Sequence, residues 1–362
     1  MYQVIRWMEE LALCEQGSNL IEGTELDRRV AALRELQRNW RNMNGGQFRE
    51  VMTTAHFTDY FADALDRAFY SDYEYQVGDW RDFTYPDEVP DFRDVSRFRM
   101  GEPGTLRKRR EKAESKATKI SPTKVQYGVD EFSRQFDVSW RAVLNDDLGK
   151  IQETPQRMAQ AAGRFEDEFV SNLYDNATTQ AALVALGALY AGTGRLTAAN
   201  LAVGLNAMMQ RTDADGNKIN IRRVHLVIPP ILKIQAATVL SDIIDYGGPN
   251  SNVLQQWVAS VKVDPYIAVA SPNVPWYLVA DPAEIPTITV ARLRGVPGAF
   301  TYMKASNIEL ISGSAPSAFL MGSAETGDIE YFVEDIIGGW DDATYVGVTD
   351  YRGIYYSSGT TP

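Results

Sequence analysis

The side chains that most often carry catalysis or bind metal ions are scarce in this sequence. The chain has two histidines, His56 and His225, and one cysteine, Cys14. With so few, neither a Ser-His-Asp triad nor a multi-histidine metal site can be assembled from common parts. His225 lies in a strand-like apolar run, which predicts an outward-facing side chain with a structural role. Cys14 lies on an apolar helical face, where a buried and inert thiol is expected.

Two short motifs are similar to ligand-binding loops, but each lacks a required residue. The Gly-Thr-Gly run at 192–194 is not followed by the third glycine of a dinucleotide-binding fingerprint, and no phosphate-binding GxxxxGK(S/T) run occurs. Asp213, Asp215 and Asn217 have the spacing of the start of a calcium loop. However, Gly216 stands at the wrong offset and no glutamate follows at the twelfth position. We interpret this motif as a turn between a helix and a strand.

Three consecutive carboxylates, Glu166, Asp167 and Glu168, could form an acidic site. They stand between Phe165 and Phe169 in a helical pattern, so the simpler interpretation is the solvated or interface face of a helix. No catalytic constellation remains. The sequence therefore predicts a protein that is not an enzyme, with no cofactor and no metal.

The composition is that of a soluble globular protein. At 362 residues with 44% hydrophobic content, the chain is long enough for two or three domains. A single cysteine fits a reducing compartment. Acidic residues interrupt the N-terminal apolar run and no long apolar stretch occurs, so neither a secretory signal nor a membrane helix is predicted. The net charge of -12 argues against a protein that binds nucleic acid by neutralising phosphates.

The charge lies in two adjacent blocks of opposite sign. Between Thr53 and Ser96 there are eleven Asp or Glu residues against three Arg. Between Thr105 and Lys124 there are eight Lys or Arg residues against two Glu. Because neither block has a strong core-forming pattern, we expect segments that reach outward and pair with each other or with copies of the chain.

Helical and strand-like patterns surround these blocks. Residues 1–44 are predicted to be helical, and apolar spacing from Phe57 to Phe69 predicts a second helix. The aromatic, proline-containing segment that follows needs another surface to pack against. Alternating residues on both sides of the basic block predict two strands joined across a long polar loop. The basic block is therefore expected to form the tip and arms of a protruding hairpin.

The clearest helix comes after the hairpin. Apolar residues recur at three- and four-residue spacing from Leu148 to Leu173, which places them on one face. Thr154 followed by Pro155 is typical of an N-cap and a first helical residue, so the helix is expected to restart there. The remaining chain alternates helices and strands in an α+β unit. Helices are predicted to begin at Thr197 and Pro230, and strands at 222–228, 258–263, 276–279, 288–293, 329–337 and 344–356.

This order of elements resembles the major capsid proteins of tailed bacteriophages with the HK97 fold. The resemblance rests on the arm sequence at 89–104, on the return strand and long helix at 136–170, and on RRVHLVIPPILKIQAATVL, WYLVADP and TDYRGIYY further along. It covers about residues 53–358, whereas residues 1–44 depart from it.

The resemblance implies an α+β fold with an N-terminal arm, an extended β-hairpin loop, a peripheral domain with a long spine helix, and an axial α+β domain. The implied boundaries are 1–45 for an N-terminal helical region, 46–100 for the arm, 101–137 for the extended loop, 138–190 and 326–347 for the peripheral domain, and 191–325 and 348–362 for the axial domain. The implied function is that of a major capsid protein, which self-assembles into pentamers and hexamers of an icosahedral shell enclosing double-stranded DNA.

The implied partners are copies of the same chain, a portal and, in some systems, a scaffold, a maturation protease or decoration proteins. Packaged DNA is expected to be contacted without sequence specificity, no membrane is involved, and the virion capsid is expected to be assembled in the cytoplasm of a host bacterium. We expect contacts between subunits to pair basic loop residues with acidic residues of a neighbour. The candidates are Arg107, Lys108, Arg109, Arg110, Lys112, Asp59, Asp63, Glu166, Asp167 and Glu168.

Some members of this family join a loop lysine to an asparagine of another subunit by an isopeptide bond. Candidates for this bond, by residue type only, are Lys108, Lys112, Lys116 and Lys119, and non-covalent charge pairing is the simpler expectation. Two other classes of protein stay open on the sequence: an encapsulin-type nanocompartment shell, which shares the fold, and a soluble enzyme with an α+β domain.

Overall fold

The structure is a computed structural model with two compact units. The residues that it describes are 55–73, 78–100, 122–138, 148–213, 216–241, 253–270, 272–296, 298–305, 329–339 and 348–361. The first unit comprises Met1–Val77, Glu131–Phe165 and Gly295–Ile336. The second comprises Gly78–Asp130, Glu166–Arg294 and Ile337–Pro362.

Helices and strands alternate along the described residues. The α-helices are α1 (Ala55–Tyr73), α2 (Leu148–Tyr174), α3 (Ala177–Ala185), α4 (Ala198–Met209) and α5 (Lys233–Leu240). The strands are β1 (Tyr85–Val89), β2 (Val95–Met100), β3 (Pro122–Tyr127), β4 (Asp130–Val138), β5 (Ala191–Gly194), β6 (Val224–Ile228), β7 (Val258–Val263), β8 (Trp276–Ala280), β9 (Thr289–Leu293), β10 (Phe300–Ala305), β11 (Ile329–Gly338) and β12 (Ile354–Thr361). Short 3-10 helices cover Asp79–Asp82, Pro230–Leu232, Val253–Gln256 and Tyr351–Gly353.

The first unit packs helix α1 against an antiparallel pair of strands. The helix contacts β10, which pairs with β11. Leu65 and Phe69 are fully buried, as their four-residue spacing predicts. Between them in sequence, Asp66 accepts hydrogen bonds from Thr301 Oγ1 at 2.6 Å and from Tyr331 Oη at 3.0 Å. These two bonds tie the helix to both strands.

A five-stranded mixed sheet forms the centre of the second unit. Its strand order is β5-β12-β8-β6-β7. β5 is parallel to β12, β8 is antiparallel to both β12 and β6, and β7 is parallel to β6. β6 and β8 are buried along their whole length, in a core that includes Leu201 and Leu205 of α4 and Ala236 of α5. This burial explains their continuous apolar sequences, which are typical of strands covered on both faces.

The second unit also contains the predicted hairpin. β2 and β3 pair antiparallel, from Val95 opposite Tyr127 to Met100 opposite Pro122. The two strands that the sequence predicts beside the basic block are therefore confirmed. In the same unit β1 pairs in parallel with β9, and β9 pairs with the end of β11.

The aromatic segment after α1 finds its packing surface within its own chain. Trp80 and Phe83 are buried, and the Phe83 ring meets the Tyr174 ring edge-on with centroids 6.0 Å apart. The next residues form β1, which adds to the edge of β9. The sequence indicated that this segment needs a surface, and the second unit supplies one.

The long helix does not restart at Thr154, so that part of the prediction is wrong. Helix α2 runs from Leu148 to Tyr174 with Pro155 inside it, about 40 Å at 1.5 Å per residue. Pro155 lies in the second turn, where its missing N–H removes one backbone hydrogen bond. Pro155 itself is buried, and so are Ala159 and Val170 on the helix after it, which offsets part of that loss.

Two further predictions are corrected by burial and by a local turn. His225 does not face outward, because β6 is covered on both faces; its side chain is buried, with Nδ1 2.8 Å from Ser260 Oγ. In the predicted strand at 344–356, the described residues 348–353 are not a strand, since residues 351–353 form a 3-10 turn capped by the Asp350 side chain. Its backbone becomes a strand only at Ile354.

Candidate functional site at the base of the hairpin

The hairpin carries the segment that the sequence singles out for contacts between subunits. The basic candidates Arg107, Lys108, Arg109, Arg110 and Lys112 lie outside the described residues, and so do Lys116 and Lys119. In the sequence, strands β2 and β3 flank this segment, and their paired ends are Met100 and Pro122.

A single carboxylate, Asp87 of β1, anchors both strands of the hairpin. The Arg97 guanidinium of β2 donates to it twice, from Nη2 to Oδ1 at 2.6 Å and from Nε to Oδ2 at 3.1 Å. The Tyr127 hydroxyl of β3 donates to the same carboxylate. Bidentate charge-assisted pairs are both stronger and more directional than neutral hydrogen bonds. Asp87 therefore fixes the direction in which the hairpin leaves the sheet.

The ionisation of these groups is set by their mutual contacts. The hydrogen bond to Asp87 raises the pKa of Arg97. Burial, followed by the hydrogen bond to Asp87, raises the pKa of Tyr127 to about 12. At neutral pH Arg97 is therefore charged and Tyr127 is a neutral phenol, so both side chains can donate hydrogen bonds to the Asp87 carboxylate.

An open cleft of about 360 Å³ lies beside this anchor in the second unit. Asp87, Arg97 and Tyr127 line it together with apolar groups and threonines, the other lining residues being Tyr85, Phe98, Val125, Pro286, Thr289, Thr349 and Asp350. Tyr85 and Phe98 are exposed. The cleft therefore combines exposed aromatic side chains with the Asp87–Arg97 ion pair.

Several acids of the arm already have basic partners in the same chain. Lys262 of β7 binds Asp82 and lies 3.7 Å from Asp79. Asp91 pairs with Arg93 two residues later, and this exposed pair lowers the pKa of Asp91 through its hydrogen bonds. The acidic arm is therefore partly neutralised within the second unit, which the charge counts alone did not indicate.

The three consecutive carboxylates of α2 have three different environments. Glu166 is 3% exposed and pairs with Arg292 at 2.8 Å and with Arg81 at 3.8 Å. The expectation of a solvated or interface side chain is therefore wrong for Glu166, because its helical face turns toward the β9 strand that carries Arg292. Asp167 is half-buried and Glu168 is exposed.

Asp167 lies in a crowded acidic environment. Burial raises its pKa to about 6, and the neighbouring charges of Asp264 and Glu166 add to the effect. A Cβ atom at Gly78 would lie 2.0 Å from Asp167 Oδ1, so the backbone of the arm passes directly over this carboxyl. Only glycine allows this close approach.

The remaining acidic candidates, Asp59 and Asp63, lie four residues apart on helix α1.

The motif that resembles a calcium loop is a turn, in which Gly216 has a positive φ of 82° and donates its N–H to the Asp213 carbonyl at 2.9 Å. The Asp213 side chain binds Arg352. Within the described residues, no group of three or more His, Cys, Asp or Glu side chains is arranged to hold a metal ion.

A family model described as phage capsid protein matches residues 122–357, well over half of the chain. The chain belongs to the phage capsid protein family. The matched region begins at the return strand of the hairpin, includes the long helix and strands β3 to β11, and ends within β12. No protein with a curated description matches the chain.

Three solved capsids match this phage capsid protein at low sequence identity. The capsid of Ralstonia phage GP4 matches with a TM-score of 0.50 and 10% identity, covering 78% of this chain and 90% of that chain. The capsid of the cyanophage P-SCSP1u has a TM-score of 0.47 and 11% identity, with coverages of 79% and 89%. The capsid of a native GTA particle has a TM-score of 0.44 and 13% identity, and the match covers 77% of this chain and 88% of that chain. The capsid fold that the sequence predicts is confirmed by the first of these matches.

As a phage capsid protein, the chain is a structural subunit of a phage head and assembles with its own copies. The prediction of a major capsid protein is confirmed, and the encapsulin-type alternative is not favoured, because the matching family is that of phage capsids. Among the helices in the described ranges, none combines the length and apolar character needed to span a membrane.

Proposed function

We propose that this capsid protein forms pentamers and hexamers that close into an icosahedral shell around double-stranded DNA. The match to the phage capsid family over 122–357 supports this function. The hairpin base supports it as well, because Asp87 binds both of the strands that flank the basic segment. We propose a portal as a further partner and assembly in the cytoplasm of a host bacterium, with a scaffold, a maturation protease or decoration proteins as additional partners.

The basic loop contacts acidic groups on a neighbouring subunit. Arg107, Lys108, Arg109, Arg110 and Lys112 supply the positive charge, and Asp59, Asp63, Asp167 and Glu168 are the acidic candidates. Glu166 leaves this set, because Arg292 and Arg81 neutralise it within the chain. One exposed ion pair contributes only about 0 to 1 kcal/mol, but repetition around a closed shell multiplies small contributions.

Charge reversal tests the loop contact. Replacing the residues from Arg107 to Arg110 with glutamate should leave the subunit folded but prevent shells from forming. The matched control replaces Arg107, Arg109 and Arg110 with lysine, which keeps the charge and should assemble normally. Normal shells from the glutamate variant would contradict the contact.

The content of the particles tests the proposed cargo. Particles isolated from infected cells and treated with nuclease should retain double-stranded DNA, measured by absorbance after the shell is opened. The acidic subunit should leave that DNA mobile, since a net charge of -12 opposes tight binding of phosphates. Shells that protect only protein cargo would contradict the proposal.

A further inference from the structure

A run of exposed apolar residues covers the last two residues of helix α3 and the four residues after it. Residues 184–189 read VALGAL, and all six are exposed. Val184 is 59% exposed, and Leu186 and Leu189 are also among the exposed large hydrophobic residues. Contiguous exposed apolar side chains favour aggregation unless a partner covers them. We name residues 184–189 the apolar turn.

The backbone of the apolar turn is held firmly. Leu186 N–H bonds to the Ala182 carbonyl at 3.1 Å, and Gly187, with a positive φ of 95°, donates to the Val184 carbonyl at 3.1 Å. Arg211, only 1% exposed, donates to the Leu189 carbonyl from Nη2 at 2.8 Å and from Nε at 3.2 Å. The turn therefore presents a preorganised surface, which lowers the entropic cost of binding.

A second exposed apolar patch lies at the start of helix α5. Ile231 is 67% exposed and Ile234 is 82% exposed, the two highest values among the exposed large hydrophobic side chains of the described residues. Leu232 and Ala236 of the same segment are buried in the core of the second unit and fix its orientation. We name Ile231 and Ile234 the isoleucine patch.

The two surfaces lie at opposite ends of one sheet. β5 is parallel to β12, and both β12 and β6 are antiparallel to β8, so β5 and β6 point in the same direction. The apolar turn directly precedes Ala191, at the N-terminal end of β5. The isoleucine patch follows Ile228, at the C-terminal end of β6. Each subunit thus carries the apolar turn at one end of its sheet, called the head, and the isoleucine patch at the opposite end, called the tail.

We propose that copies of this chain contact one another head to tail, with the apolar turn of one subunit packed on the isoleucine patch of the next. This contact rests on the proposed assembly of capsid subunits, and it names the residues that join neighbours. Two different patches on opposite ends suit a heterologous contact, which closes into a ring when the rotation between copies permits. A second copy is the occupant that the structure favours, since each copy brings both an uncovered turn and an uncovered patch.

Paired charges test the contact in the full-length protein. Val184→Glu alone and Ile234→Lys alone should each raise, by about tenfold or more, the lowest protein concentration at which oligomers form. The double variant should return close to the wild-type concentration, because every contact then joins a glutamate to a lysine. An equimolar mixture of the two single variants should form only even-membered rings, in which compatible contacts alternate. Native mass spectrometry and analytical ultracentrifugation provide these readouts.

The controls separate this contact from folding and from general surface effects. Val203→Glu changes a residue that is 58% exposed on α4 and belongs to neither patch, so it should assemble like wild type. Circular dichroism checks that each variant is folded; if a charged variant unfolds, Val184→Ser and Ile234→Ser replace it and should also weaken assembly.

Three results would overturn the contact: single variants that assemble normally, a double variant that does not recover, or a Val203→Glu defect as large as theirs. A wild-type chain that stays monomeric would contradict the proposed function together with this contact.

Discussion

Glu166 shows how a residue that reads as solvated in a sequence pattern can be part of a buried ion pair. Its partner, Arg292, is far away along the chain, in β9. Helical periodicity finds apolar faces, but it cannot show which charged side chain meets a partner from a distant strand. The local sequence, with Phe165 before Glu166 and two further acids after it, gave no signal of this pairing.

Removing the Glu166 carboxylate should destabilise the subunit strongly. Glu166→Ala should lower the free energy of unfolding by about 3 to 5 kcal/mol, because it removes the carboxylate that faces the buried guanidinium of Arg292. Glu168→Ala is the control, since Glu168 is exposed two residues later. Urea denaturation measures the free energy of unfolding of both variants. Equal values for the two would contradict a stabilising role of the Glu166–Arg292 pair.

Asp167 should make stability depend on pH. Its pKa is raised from the ordinary 3.8 to about 6, first by burial and then by Asp264 and Glu166. Between these two values the folded state binds more protons than the unfolded state, so this group lowers stability as the pH rises from about 4 to 6.

Asp167→Asn removes that titration and isolates its effect. The variant should match wild type near pH 4 and become more stable than wild type as the pH rises to 7, as measured by thermal unfolding. The exposed neighbour provides the comparison, because Glu168→Gln should not show a stability gap that grows over this range. A constant difference between Asp167→Asn and wild type would exclude the shifted pKa.

At the level of elements, the sequence predicted most of the second unit. Strand β7 has the predicted bounds, and β8 and β9 differ from prediction by one residue. Helix α4 begins directly after its predicted capping residue, Thr197. The helix predicted to begin at Pro230 starts there as a 3-10 turn, which α5 continues from Lys233 to the predicted end at Leu240. These elements could be predicted from the sequence because they depend on local features, namely capping residues, prolines and short apolar runs. The start of β12 was missed because Asp350 caps a 3-10 turn, and that depends on a single side-chain contact.

The hairpin was predicted, but its anchor was not. The alternation of apolar and polar residues predicted strands β2 and β3. The role of Asp87, in contrast, depends on β1 lying beside both strands. In the sequence, Asp87 is one of eleven similar acids. Only the pairing of distant segments distinguishes it from Glu88.

Breaking the anchor should loosen the hairpin base without unfolding the second unit. Asp87→Ala removes the acceptor shared by Arg97 and Tyr127, so hydrogen–deuterium exchange in β2 and β3 should become faster. We expect an increase of no more than about tenfold, because Arg97 is exposed to solvent and screening weakens the pair. Glu88→Ala should exchange like wild type, and unchanged protection in Asp87→Ala would show that the hairpin does not depend on this carboxylate.

At the scale of the whole molecule, the order of elements carried more information than any single motif. An arm, a hairpin with a basic segment, a long helix and an α+β unit were recognisable together, and membership of the phage capsid family confirms that interpretation. The surfaces that join copies were harder to predict. The apolar turn looks like an ordinary helix end in sequence, and only its exposure in the folded chain marks it as a contact.

Electron microscopy of the purified full-length chain tests the central claim most directly. If the chain is a capsid subunit that self-assembles, the micrographs will show ring-shaped capsomers and closed icosahedral shells of uniform diameter. Class averages should show five-fold and six-fold rings within those shells. A folded chain that gives only monomers or small open oligomers, at concentrations where capsid proteins assemble, would contradict the account.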